Sequence, residues 1–409
     1  MSSLATLILC TVAALLEGFD NQSMGVAAPR LVPEFGLSAS AASWIFSATT
    51  MGLFIGAGIG GRVADRWGRH RTLALSMLLF GLFSFLTTLA TGPQSLFVAR
   101  LVTGLGLGGA MPNFIAMASE ATHSSRRLTS VTVVMAGMPF GGLLAGGVML
   151  LVETLGWPWR TIFYIGAVAP VLLAFVIWRL SACVPSAQTT GAAPAAEALG
   201  VPVALPSTTS LEPVSSVLFG RGRALTTVEI WGGFFFTQLV LLLMLNWLPS
   251  LFVGLGFSRS QASVASMCFN FFGAASSLVL GRLHAGQQRR LWVLLTYCGM
   301  AVALGALPMA GHSFGLAVCA VAFAGVFIIG AQLVLFALAP LYYEQPIRGT
   351  GVGAAVSIGR LGSVLGPLYA GALLAGGGGS ATVLIGIIPF VVAGGASAFA
   401  LCWRPQRGA

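Results

Sequence analysis

Gly61-Arg62-Val-Ala-Asp65-Arg66-Trp-Gly68-Arg69-His70-Arg71 packs five charges into eleven residues, between two runs that hold almost none, near 41–64 and 72–91. Each run has about the 20 residues that a helix needs to cross a bilayer core of roughly 30 Å. A short charged loop between two spanning helices is the reading, and the pattern repeats outward. Similar runs fall near 4–27, 95–118, 128–152 and 159–180, which makes six, and near 227–253, 259–281, 290–310, 313–338, 348–374 and 380–402, which makes six more. The joins at 91–95 and 310–313 leave room only for tight hairpins. Between the sixes, 181–226 is rich in Pro, Ala, Ser and Thr and reads as a linker.

Composition agrees with this reading. The 409 residues are 57% hydrophobic and only 7% charged, where soluble domains carry about 25% charge, so a water-soluble fold is excluded and the lipid bilayer is the expected environment. The net charge of +10 comes from arginines scattered among apolar runs, with no aromatic-interleaved basic stripe, so no nucleic-acid partner is expected. Six cysteines contain no CxxC pair, and no His, Cys or acid cluster has metal-ligand spacing, so neither cofactor nor metal is expected. The absence of HExxH and GxSxG argues against an enzyme. The first apolar run lacks a basic leader and contains Glu17 and Asp20, which makes it a spanning helix rather than a cleaved signal.

Arginine sets the expected orientation. Fifteen of the twenty fall in one set of connections and the C-terminal segment, three (Arg30, Arg160, Arg259) fall in the other, and Arg100 and Arg360 lie inside helices. By the positive-inside rule both termini and the linker are expected in the cytoplasm. The 61–71 loop has a degraded counterpart in Gly281-Arg-Leu-His-Ala-Gly-Gln-Gln-Arg289-Arg290, with Ala285 where the first copy has Asp65. Gly137-Met-Pro-Phe-Gly141 is echoed by Gly362-Ser-Val-Leu-Gly366-Pro367. The expectation is an all-α membrane protein of two parallel six-helix bundles, residues 1–180 and 227–409, with a site between them at mid-membrane.

Gly61-x-x-x-Asp65-Arg66-x-Gly68-Arg69 resembles the loop signature of the major facilitator superfamily, and Arg100-x-x-x-Gly104-x-Gly106-x-Gly108-Gly109 resembles a second motif of that superfamily. Glu17-Gly18-Phe19-Asp20 resembles the acidic D-G-x-D signature of its aromatic acid:proton symporter family, with Glu in place of the first Asp. With Leu245-Asn246-Trp247-Leu248-Pro249 and the stretch from Ile347 to Gly362, the whole chain resembles that family's 3-(3-hydroxyphenyl)propionate transporters. The resemblance implies a twelve-helix transporter of a small aromatic carboxylate and protons, working as a monomer in a bacterial inner membrane. A hydroxybenzoate or benzoate symporter and a drug or metabolite exporter of the same fold are the alternatives.

The residues allow that chemistry. Glu17 and Asp20, three apart, share a helix face. Each costs about 2.5–3.5 kcal/mol within a bilayer and therefore needs an interior cavity or a partner. Such a carboxyl can take a proton on one side of the membrane and release it on the other, and Asp20 is the first choice; pairing with a buried arginine is the competing role. Arg360 lies too deep to snorkel, unlike Arg348 near the surface, and its fork suits a carboxylate substrate or one of the two acids. Asn246, Asn270, Gln332 and Gln238 are polar groups within spans, able to bond a substrate or to hold helices together. Asn246 is favoured among them because Pro249 frees backbone groups nearby. Trp44, Phe46, Phe271 and Tyr342 are candidates to stack on an aromatic ring.

Arg100 and Glu120 stand about 30 Å apart along one helix and cannot pair with each other; the resemblance gives both positions, and Arg348 near the cytoplasmic surface, a structural or coupling role. Arg126 or Arg127 would neutralise Glu120 if that acid is merely interfacial. The resemblance assigns Gly61, Asp65, Arg66, Gly68 and Arg69 to gating, with Asp65 accepting bonds from the N-terminus of helix 11.

Overall fold

The computed structural model describes residues 3–122, 127–181, 218–220, 222–284, 288–344 and 347–404. Outside them lie most of the expected linker, Cys183, Arg221, Ala285, His123 and Arg407, and the side chains of Arg126, Arg127 and Arg282 are likewise not described.

Among the described residues the fold is helical. The first six helices are α1 (Ser3–Glu34), α2 (Ala39–Trp67), α3 (Arg69–Thr88), α4 (Pro93–Glu120), α5 (Arg127–Thr154) and α6 (Arg160–Ser181). The next are α7 (Ala224–Gly254), α8 (Arg259–His284), α9 (Arg289–Met309), α10 (Phe314–Leu338) and α11 (Arg348–Ala375). The last apolar run is two pieces, α12 (Ser380–Gly386) and α13 (Ile388–Leu401), because Pro389 offers no N–H to the preceding turn. Counting α12 with α13, eleven segments are long and apolar enough to cross a membrane, and α8 completes twelve. The hairpins at 88–93 and 309–314 are as short as the sequence demanded.

The two sets of helices pack alike. In the first, α1 packs on α5, α2 on α4, and α3 on α4 and α6; in the second, α7 packs on α11, α8 on α10, and α9 on α10 and α13. Across the middle, α5 meets α8, α2 meets α11 and α1 meets α7.

Glycine permits the close pairs. A Cβ at Gly104 of α4 would stand 2.0 Å from the Thr49 carbonyl oxygen of α2, one at Gly141 of α5 would stand 1.9 Å from that of Leu15, and one at Gly362 of α11 would stand 2.1 Å from that of Phe235. Backbone cannot yield as a flexible side chain does, so Gly104→Leu is expected to leave no monodisperse protein on size exclusion in detergent. Gly61→Ala, with nothing within 4 Å of the added Cβ, is expected to behave as wild type in the same measurement.

Candidate functional site

The 61–71 loop is scarcely a loop. α2 ends at Trp67 and α3 begins at Arg69, with Gly68 at φ +85°, a backbone conformation that side chains with a Cβ rarely adopt. Gly68 N–H donates to the Ala64 carbonyl at 2.8 Å, and its own carbonyl accepts from Thr72. Asp65 stands in the last turn of α2, where a negative charge opposes the helix dipole. Asp65, Arg66 and Arg62 are exposed, so the expected docking of Asp65 on helix 11 is not made in this conformation. Arg69 instead turns to the end of α4 and donates to Glu120 Oε1 at 2.5 Å. Glu120 thus pairs with the signature loop, and its expected neutralisation by Arg126 or Arg127 lies outside the described side chains.

Deep in the first set of helices, Arg100 of α4 meets Asp20 of α1 through a two-pronged bridge, Nη1 to Oδ1 at 2.9 Å and Nη2 to Oδ2 at 2.6 Å. Arg100 Nε donates to the Thr49 hydroxyl at 3.1 Å, and the guanidinium lies 5.5 Å from the centre of the Phe163 ring. Arg100 is 0% and Asp20 1% exposed. Charge-assisted bonds on three donors, sealed from water, are the arrangement that holds a buried guanidinium.

Glu17, one turn earlier on α1, has no such holder. It is wholly buried, and neither carboxyl oxygen has a hydrogen-bond partner. Gly18 beside it lets α1 press onto the Met138 carbonyl of α5. Arg360 of α11 acts on Glu17 electrostatically, and no ion pair joins the two. Arg360 Nη2 touches Met111 Sδ of α4 at 3.1 Å, and among the described residues no carboxylate reaches the guanidinium.

The polar amides divide. Pro249 has no N–H, so the Leu245 carbonyl one turn back is left free, and Gln22 of α1 donates to it at 3.0 Å. Asn270 of α8 donates to Gln22 Oε1 at 3.1 Å and to the Ser266 carbonyl at 2.9 Å. Gln22 therefore joins α1 to α7 and α8. Sequence reasoning missed it, although a glutamine two residues after Asp20 in an apolar run was a signal. Asn246, the favoured candidate, donates to its own helix at the Leu242 carbonyl, 2.8 Å away. Gln332 has neither amide atom bonded, and Gln238 Oε1 is also unbonded.

Among the ring candidates, Phe46 meets Trp247 edge to face at 5.0 Å, and Tyr342 is buried with an unbonded hydroxyl. Trp44 and Phe271 are 49% and 47% exposed.

Among the described residues, the Arg360–Met111 contact crosses between the two sets on the half bearing the arginine-rich loops, and several others lie at or beyond mid-helix, away from that end. The latter include Phe46 with Trp247, the Ser47 hydroxyl donating to the Val364 carbonyl at 2.8 Å, and Gly371 packed against Ser43. These contacts join the two sets toward that far end, while Asp65 lies exposed at the other.

Residues 10–367 match the Major Facilitator Superfamily. The chain is 39% identical over 404 residues to the 3-(3-hydroxy-phenyl)propionate transporter of Escherichia coli (strain K12), covering 98% of this chain and 94% of that one. It is 33% identical over 407 residues to the gallate transporter of Pseudomonas putida, covering 95% and 89%. Among solved structures, the crystal structure of the D-xylose-proton symporter superposes with a TM-score of 0.76 at 18% identity, covering 99% of each chain. At that identity the likeness is one of fold.

Proposed function

Because this chain belongs to the major facilitator superfamily, and is therefore a membrane transporter, we propose that it imports a hydroxylated aromatic carboxylate of the phenylpropionate class together with protons by alternating access. One observation carries the reading. Arg360 is a guanidinium in the middle of a span whose only close polar neighbour among the described residues is a thioether sulfur, so its place for a carboxylate is open. Asp20 is occupied by Arg100, and Glu17 stays out of contact, which removes the two side chains that could have filled that place. Glu17 and Asp20 take the coupling role. A proton on Asp20 removes the negative half of the Arg100 bridge, and Glu17, a buried carboxyl without a donor, is accommodated as the neutral acid.

The arginine-rich end is the cytoplasmic one in this reading, which puts both termini in the cytoplasm and makes this conformation open to the inside. On reversal, the cytoplasmic ends close and Asp65 docks on the N-terminus of α11, while the Arg69–Glu120 bridge keeps the loop fixed to α4. The two halves, 1–180 and 227–409, move as units about the site.

The test is uptake of labelled 3-(3-hydroxyphenyl)propionate into proteoliposomes, with and without an inward proton gradient. Accumulation is expected only with the gradient. Competition by 4-hydroxybenzoate at equal or lower concentration would shift the substrate to the shorter benzoates, and efflux driven by the opposite gradient, without uptake, would reverse the assigned direction.

A further inference from the structure

Resting on that reading, we infer that Gln238 and Gln332 form the subsite that recognises the ring hydroxyl of the substrate. The two side chains belong to antiparallel helices in register. Phe234 of α7 meets Phe336 of α10 edge to face at 5.1 Å, and a Cβ at Gly233 would stand 3.0 Å from Leu335. One turn further along α7 is Gln238, and one turn back along α10 is Gln332, so the two amides come level with each other. Both are more than nine-tenths buried, at 9% and 6% exposure.

Neither is acting as glue between helices. Asn246 and Asn270 have bonded their amides to backbone or to Gln22, whereas Gln332 Oε1, Gln332 Nε2 and Gln238 Oε1 are buried with nothing bonded to them. Buried polar atoms are rarely left so, and a cluster of them calls for a missing partner. The pair also stands beside the carboxylate seat. Gln238 Cγ lies 3.3 Å from where a Cβ at Gly359 would be, and Gly359 directly precedes Arg360 on α11. The close approach of α11 to α7 at Gly362 fixes this spacing. An amide oxygen and an amide NH₂ together match a phenol, which donates one hydrogen bond and accepts another. A ligand with a carboxylate at one end and a ring hydroxyl at the other would engage Arg360 and the two glutamines at once.

The test compares 3-(3-hydroxyphenyl)propionate with 3-phenylpropionate, which lacks the hydroxyl, in proteoliposomes of wild type, Gln332→Met and Gln238→Met. Wild type is expected to prefer the hydroxylated acid, with a KM about tenfold lower. Each variant is expected to raise KM for the hydroxylated acid by about that factor while leaving the unhydroxylated one within roughly twofold. Equal rises for both acids, or none, would overturn the subsite, as would a wild type indifferent to the hydroxyl, a readout that needs no variant to fold. A wild type that moves neither acid overturns the transport reading itself, which separates the two failures.

Discussion

Uptake of the aromatic carboxylate falls on the order of a hundredfold in kcat/KM when Arg360 is replaced by alanine, and lysine recovers only a small part of it. The magnitude follows from the fork. Two hydrogen bonds from a guanidinium to a carboxylate contribute about 1.5–3 kcal/mol each, and a loss of roughly 3 kcal/mol is a factor of more than a hundred. A lysine at 360 would supply the charge without the planar pair of donors. Among the described residues Met111 Sδ is the only close polar contact of the guanidinium in the present conformation, so Arg360→Ala breaks no ion pair between them. Folding is therefore expected to survive, which size exclusion in detergent checks. The methyl ester of the substrate, lacking the anion, is expected not to compete. An ester that competes as well as the acid, or an alanine variant with unchanged KM, would move the carboxylate away from Arg360.

The spans could be read because bilayer thickness dictates their length, and the halves could be read because Gly61–Arg71 has an echo at Gly281–Arg290. The joining of side chains across helices could not. Glu17 and Asp20 share a face of α1, and spacing alone let either one meet Arg100 or Arg360. Only the rotation of α1 against α4, set by the packing of Gly18 on Met138 and of Gly104 on Thr49, sends Asp20 to Arg100 and leaves Glu17 in front of α11. Gln22 was invisible for a related reason. Its acceptor is a backbone carbonyl more than two hundred residues away, released by Pro249, and no side-chain pattern advertises such a partner. Asn270 was equally a substrate ligand or helix glue on sequence grounds, and in this conformation it is bonded to Gln22. The gating loop shows the limit that conformation imposes. Its charged residues stand out in the sequence, but in this conformation Asp65 is exposed, so the docking that the resemblance implies is not on view.

The second large effect concerns the Asp20–Arg100 bridge. Removing one partner from a buried pair leaves an uncompensated charge and costs about 3–5 kcal/mol, so Asp20→Ala and Arg100→Ala are each expected to reduce the yield of folded protein sharply. Asp20→Asn behaves differently. It keeps the shape and one acceptor for Arg100 while fixing the side chain in the uncharged form that a proton would otherwise produce. Proteoliposomes of that variant are expected to exchange labelled substrate for unlabelled substrate on the other side, since exchange needs no proton to be released. They are expected to accumulate none under an inward proton gradient. For wild type, each pH unit supplies about 1.4 kcal/mol per proton, so one coupled proton sets an accumulation ratio near tenfold per pH unit for electroneutral entry, and the variant falls to unity. The sign is fixed by the direction of uptake: acidification outside raises accumulation, and alkalinisation outside abolishes it. If Asp20→Asn accumulates as well as wild type while Glu17→Gln does not, the proton travels on Glu17 alone and the bridge to Arg100 is scaffolding for α1. If both variants exchange without accumulating, the two acids act in one relay, with Glu17 holding the proton in the conformation seen here and Asp20 receiving it as the bridge opens.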